Sequence, residues 1–232
     1  MSDNWHTLSK NVFSDRFRVF TPDQRNHGRS PHADRFDYPA MAADLAQFLE
    51  QQGLSSVHLL GHSMGGKTAM YAALAHTERV DRLVVVDMAP KAYPSQHEYL
   101  FHALRQIDPA EYDRRRDIDA ALADQVPDWR MRQFLLKNLV HTGDHYAWRP
   151  NLSAIHAQYD KVIKGLPDGG TFDGPTLFVR GAQSNYVTDD DRPRIRRHFP
   201  QAELVTMDDA AHWVHADVPA AFADVVMEFL PS

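Results

Sequence analysis

The sequence predicts an α/β fold: a mostly parallel sheet with helices on both faces and an inserted helical lid. Three observations predict it. Strand-like runs alternate with stretches of helical spacing, the pattern of a parallel sheet with right-handed crossovers. The run Leu83-Val84-Val85-Val86, between Arg82 and Asp87, is continuously apolar, as a strand buried on both faces requires. Between about Pro90 and Leu166 the strand rhythm stops and only helical spacing remains. The expected division is a core of residues 1–90 and 167–232 with a lid of 91–166.

Taken in order, Trp5 to Phe13 reads as a short amphipathic helix, and Arg18-Val19-Phe20-Thr21 as a short strand stopped by Pro22. The segment from Asp23 to Pro31 is rich in turn formers. Met41, Leu45, Phe48 and Leu49 recur at helical spacing, and Gly53 ends that helix. An apolar run, Val57-His58-Leu59-Leu60, leads into Gly61-His62-Ser63-Met64-Gly65-Gly66, and a helix follows over 67–75. In the insert, helices are expected near 96–107, 109–125 and 128–140, and a last one carries Leu152, Ile155, Tyr159, Val162 and Ile163 on one face. Strands return at 176–180 and 202–206, and Phe222, Val225, Val226, Phe229 and Leu230 form the inward stripe of a final helix.

Composition narrows the function classes. The chain has 232 residues, 43% of them hydrophobic, and a formal net charge of −6, which gives a nucleic-acid role no electrostatic support. It has no cysteine, which excludes disulfides, a thiol nucleophile and cysteine-bound metal. No apolar run reaches the ~20 residues of a membrane span, and the first residues lack the basic and apolar regions of a secretory signal. The expected location is the cytoplasm.

Gly61 to Gly66 carries the chemistry. Strand, tight turn and helix form the context of a G-x-S-x-G nucleophile elbow, in which a strained turn lifts the serine hydroxyl clear of the sheet. Gly61 to Thr68 also satisfies G-x-x-x-x-G-K-T, a phosphate-cradling loop, and Val84-Val85-Val86-Asp87 imitates the magnesium-binding strand of an NTPase. The order of the chain favours the elbow. A strand and a long helix precede Gly61, and only a hydrolase gives a role to Ala211-His212-Trp213.

A serine nucleophile needs a base, and the base needs an orienting acid. His212, in the loop after the last strand, is the expected base. For the acid two positions compete: Asp87, directly off a buried strand, and Asp189, Asp190 or Asp191, which also read as the charged start of a helix. Asp87 is favoured. The backbone N–H of Met64 is the expected oxyanion donor, and His62 and Trp213 are expected against the substrate. His141, Asp144 and His145 have usable metal spacing but flank Gly143. They are expected to form a solvated turn at a helix end, and no metal is assigned.

These stretches together resemble the α/β-hydrolase superfamily, most closely its small bacterial YbfF-type serine esterases. The matching segments are Asp3-Asn4-Trp5, Asp23-x-Arg25-Asn26-His27-Gly28-x-Ser30-Pro31, the elbow with Lys67-Thr68-Ala69-Met70, Val86-Asp87-x-Ala89-Pro90, Arg180-Gly181-x-x-Ser184-x-Tyr186 and Ala211-His212-Trp213-Val214-His215. The resemblance implies a triad of Ser63, His212 and Asp87, cleavage of carboxylic esters or acyl thioesters, and no cofactor. Members of the family begin with strands and a His-Gly oxyanion loop upstream of Asp3-Asn4-Trp5. The expectation is therefore that Met1 is an internal methionine of a longer protein and that activity of this form is impaired. Lid aromatics such as Tyr93, Phe101 and Trp148 are expected to pack, a few of them lining an acyl pocket.

Overall fold

The computed structural model describes residues 2–231. Met1, on which the expected upstream extension turns, lies outside the described residues. The fold separates into two compact units. The first comprises the chain up to Pro22, Asp37–Tyr93 and the chain from Lys164 onward; the second comprises Asp23–Phe36 and Pro94–Ile163.

In the first unit, strands β1 (Val57–His62), β2 (Val80–Val86), β5 (Thr176–Gly181) and β6 (Ala202–Met207) form one sheet, all parallel, in the order β1-β2-β5-β6. Alternation along β2 feeds two cores. Leu83 and Val85 face one side with Leu59 and Phe178, under α2 (Tyr38–Gln51), α3 (Met64–Ala75) and α9 (Arg192–His198). Val84 and Val86 face the other with Leu177 and Val179, under α1 (His6–Asn11) and α11 (Pro219–Phe229). These four β2 side chains, Leu83 to Val86, are fully buried, the reason that stretch carries no polar residue.

The expected strand at 18–21 is not formed. Those residues are irregular and lie outside the four-stranded sheet. Phe17 packs edge-on against His58 of β1, and Phe20 against Phe48 of α2. The segment therefore sits on its apolar side chains without a ladder partner. β-propensity becomes a strand only where a second backbone supplies hydrogen bonds.

The second unit holds α4 (Glu98–Gln106), α5 (Arg115–Leu122), α6 (Trp129–Leu136), α7 (Leu152–Ala157) and α8 (Tyr159–Val162), around a core of Leu100, Leu104, Ile118, Leu122, Val126 and Leu136. Three expectations are corrected here. The helix near 128–140 ends at Leu136, and β3 (Leu139–His141) pairs antiparallel with β4 (Tyr146–Trp148), so the insert contains a hairpin. Asn138 and Gly143 are the sequence features that interrupt the helical pattern there, and Gly143 takes φ +95° in the turn. His141, Asp144 and His145 consequently belong to a β-hairpin, where the Thr142 N–H donates to the His145 carbonyl, and not to a helix end. Among the described residues no group of histidines and carboxylates is arranged to hold a metal. The last expected helix is broken into α7 and α8 at Gln158.

Asn26 organises the 23–36 segment. It is fully buried at φ +64°, its side chain exchanges hydrogen bonds with the backbone of Ala33, and Asn151 at the start of α7 donates to its Oδ1 and its carbonyl. Among the described residues no helix is long and apolar enough to cross a membrane.

Candidate active site

Ser63 sits between β1 and α3 at φ +53°, ψ −123°, a conformation that costs a non-glycine residue free energy and lifts its side chain off the turn. The turn is held by the Ser63 N–H donating to the Val86 carbonyl at 3.0 Å and by the Lys67 N–H donating to the Ser63 carbonyl at 3.0 Å. Gly61 is required by space. A Cβ there would stand 2.3 Å from the carbonyl oxygen of Gly65. Met64 opens α3, where the first N–H groups of a helix have no partner within it.

His212 reaches the serine from the loop between β6 and α10 (Val214–Asp217). Its Nε2 lies 3.1 Å from Ser63 Oγ and its Nδ1 2.8 Å from Asp87 Oδ2. With Asp87 as carboxylate, Nδ1 carries the proton and donates it, which leaves Nε2 to accept from the serine hydroxyl. Asp87 is fully buried at the end of β2, at φ +46°. The Gly181 N–H donates to its Oδ1 at 3.2 Å, and the Ser184 hydroxyl donates to its Oδ2. These bonds satisfy a buried carboxylate that would otherwise be costly.

Two of the competing aspartates are occupied elsewhere, and Asp190 is exposed. Asp189 is exposed and pairs with Arg180 and Arg192; the bond from Arg192 and the nearby Arg180 hold its carboxyl below the usual range. Asp191 is buried, accepts from the N–H and hydroxyl of Thr188 in a capping box, and pairs with Lys91 at 2.7 Å. Both serve the entry to α9.

His62 projects its Nε2 to the His212 carbonyl at 2.7 Å. Burial first, then the neighbouring His212 and His215 rings, hold it well below the usual histidine range, so it is neutral and Nε2 is the donor. That nitrogen is committed to the histidine loop. The Trp213 ring lies 6.0 Å from the His212 ring, tilted. Lys67, the residue a phosphate-cradling loop would present, is fully buried. Its Nζ donates to the carbonyls of Lys91 and Lys164 at 2.9 and 2.8 Å.

No site role was expected of Ser184, which enters the sequence argument only through the family resemblance. The signal was present: a hydroxyl residue just beyond a buried strand. Pairing Val86 with Val179 sets the ends of β2 and β5 side by side, which brings Ser184 to Asp87.

A family model described as the alpha/beta hydrolase fold matches residues 1–219. The chain is 43% identical over 219 residues to the sn-1-specific diacylglycerol lipase ABHD11 of Mus musculus, covering 92% of this chain and 71% of that protein. It is 33% identical over 229 residues to the esterase YbfF of Escherichia coli (strain K12), covering 98% of this chain and 88% of that one. Among solved structures, a marine microorganism esterase matches with a TM-score of 0.95 and 40% identity, over 99% of this chain and 90% of the other.

Proposed function

The chain belongs to the alpha/beta-hydrolase family, and from that premise we propose that it is a serine hydrolase that cleaves carboxylic esters or acyl thioesters through an acyl-enzyme. The observation that carries the reading is the continuous hydrogen-bonded chain Ser63–His212–Asp87, ending at a serine in a strained strand-to-helix turn. Relatives named as esterases and as a diacylglycerol lipase support the ester bond as the target. Short to medium acyl groups, including those of acyl-CoA, are the substrate class.

In this mechanism Ser63 Oγ attacks the carbonyl carbon as its proton passes to His212 Nε2. The carbonyl π-bond opens, and the resulting oxyanion is met by the Met64 N–H at the start of α3. Collapse breaks the bond to the alcohol or thiol, which leaves with the proton from Nε2. Water, deprotonated by the same nitrogen, then attacks the acyl-enzyme carbonyl; collapse breaks the bond to Ser63 Oγ, which takes the proton back from Nε2 as the acid leaves. Asp87 keeps the proton on Nδ1 and stabilises the imidazolium formed in both halves.

The test is covalent labelling with a fluorophosphonate read by intact-protein mass spectrometry. The proposal expects one adduct, mapped to Ser63 and absent in Ser63→Ala, with ester hydrolysis lost in the same variant. A folded protein that stays unlabelled, or a Ser63→Ala variant that hydrolyses esters at a rate close to the parent's, sinks it.

A further inference from the structure

Tyr93 does more than pack. It stands six residues beyond Asp87, and its hydroxyl joins two separate loops. It accepts from the Ala89 N–H at 2.8 Å and donates to the Tyr186 carbonyl at 2.8 Å. The Tyr186 N–H in turn donates to Ser184 Oγ at 3.2 Å, and Ser184 Oγ donates to Asp87 Oδ2. Two residues of backbone from Asp87 to Ala89 close the circuit. The ring of Tyr186 lies stacked on the His212 imidazole, centroids 3.9 Å apart and planes 19° from parallel.

The acid needs such support. Asp87 is held at φ +46°, in the left-handed region a side chain resists, and such conformations persist only where the surroundings over-determine them. Closed hydrogen-bond circuits are stiffer than their separate bonds, because no member can move without breaking two contacts.

We propose that Tyr93 is a positioning residue for the acid–base pair. Its hydroxyl locks the turn that carries Asp87 to the turn that carries Ser184 and Tyr186, and so fixes carboxylate and imidazole relative to each other. The proposal rests on the serine-hydrolase reading of Ser63, His212 and Asp87. Burial pushes the Tyr93 phenol far above its ordinary range, so it remains a donor throughout any assay. The side-chain nitrogens of Lys67, 4.6 Å from the ring, and of Lys91, 5.5 Å away, flank its face.

The test is Tyr93→Phe, which keeps the ring and removes only the oxygen. With p-nitrophenyl butyrate as substrate, kcat should fall about tenfold with KM within about twofold, the pattern of a lost positioning bond. The downfield proton resonance of the His212 Nδ1–H should broaden in the variant. 4-Aminophenylalanine at position 93 restores a donor toward the Tyr186 carbonyl and should recover most of kcat. A Tyr93→Phe protein with unchanged kcat, whatever its melting temperature, overturns the proposal. So does a loss confined to KM. If Tyr93→Phe does not fold, the amino variant decides: turnover near that of the parent supports the proposal, and tenfold slower turnover from a folded amino variant overturns it. Ser63→Ala in the same assay separates the two readings. Turnover close to that of the parent in Ser63→Ala sinks the hydrolase reading, whereas a Ser63→Ala slowed by orders of magnitude beside a fully active Tyr93→Phe sinks only the positioning role.

Discussion

Replacing Lys67 by methionine should change how stability depends on pH. The Lys67 ammonium is fully buried, and among the described residues it forms no ion pair with a carboxylate. It is held instead by the carbonyls of Lys91 and Lys164 and by the faces of Tyr93 and Tyr38, 4.6 and 5.6 Å away. Burial, and secondarily the Lys91 ammonium, push it down from 10.5 to about 7. In the unfolded chain the same amine titrates near ~10.4. The folded value is the lower one, so between these limits the unfolded state holds the extra proton and stability rises with pH. Below pH 7 both states are protonated, and burying the charge costs its full amount. Each pH unit inside the window is worth about 1.4 kcal/mol. From pH 7.5 to 9.5 the Lys67 contribution should therefore improve by about 2–3 kcal/mol. Lys67→Met fills similar volume without titrating. It leaves two carbonyls without their donor, at a cost that does not vary with pH. Urea unfolding of both proteins at pH 7.5 and 9.5, at constant ionic strength, yields the two differences in unfolding free energy. The parent should gain about 2–3 kcal/mol relative to Lys67→Met over that interval. A difference that stays constant, or that moves the other way, refutes the argument that the charge is buried uncompensated.

Three further outcomes follow from the site. Asp87→Asn should lower kcat by about 10⁴, since an amide cannot accept from His212, Ser184 and Gly181 together and disturbs the tautomer; ester hydrolysis by the purified variant checks it. Asp189→Asn and Asp190→Asn should leave kcat within about twofold, whereas Asp191→Asn should lower the melting temperature by weakening a buried pair with Lys91, with kcat of the folded protein retained. Gly61→Ala should destabilise by about 1–3 kcal/mol and abolish fluorophosphonate labelling, because its Cβ meets the Gly65 carbonyl oxygen at 2.3 Å and the elbow must open to admit it.

The elements that were legible in the sequence are those decided by neighbours along the chain. Val84 to Val86 can be nothing but a buried strand, since every side chain is apolar and β-branched. The elbow is equally local: Gly61, Ser63 and Gly66 are close in sequence, and the clash that excludes a side chain at Gly61 is with the turn's own backbone. His212 was recoverable because chain order in a parallel sheet puts strand-end loops on one side. Pairing was not legible. The segment at 18–21 has strand composition and no strand partner, and Leu139–His141 has helical neighbours and a hairpin partner four residues further on. The same string Gly61–Thr68 fits a phosphate loop or an elbow; chain order favours the elbow, and the burial of Lys67 against two distant carbonyls adds what the string itself does not carry. The choice between Asp87 and the later aspartates leaned to Asp87 but stayed open for the same reason. Asp87 and Asp189 are both carboxylates beyond strand ends, and the parallel register of β2 on β5, together with the reach of the His212 loop, sets which of them meets the imidazole. Hydrogen bonds of a few ångströms between residues ninety or more positions apart depend on how strands stack, and no local pattern encodes that distance.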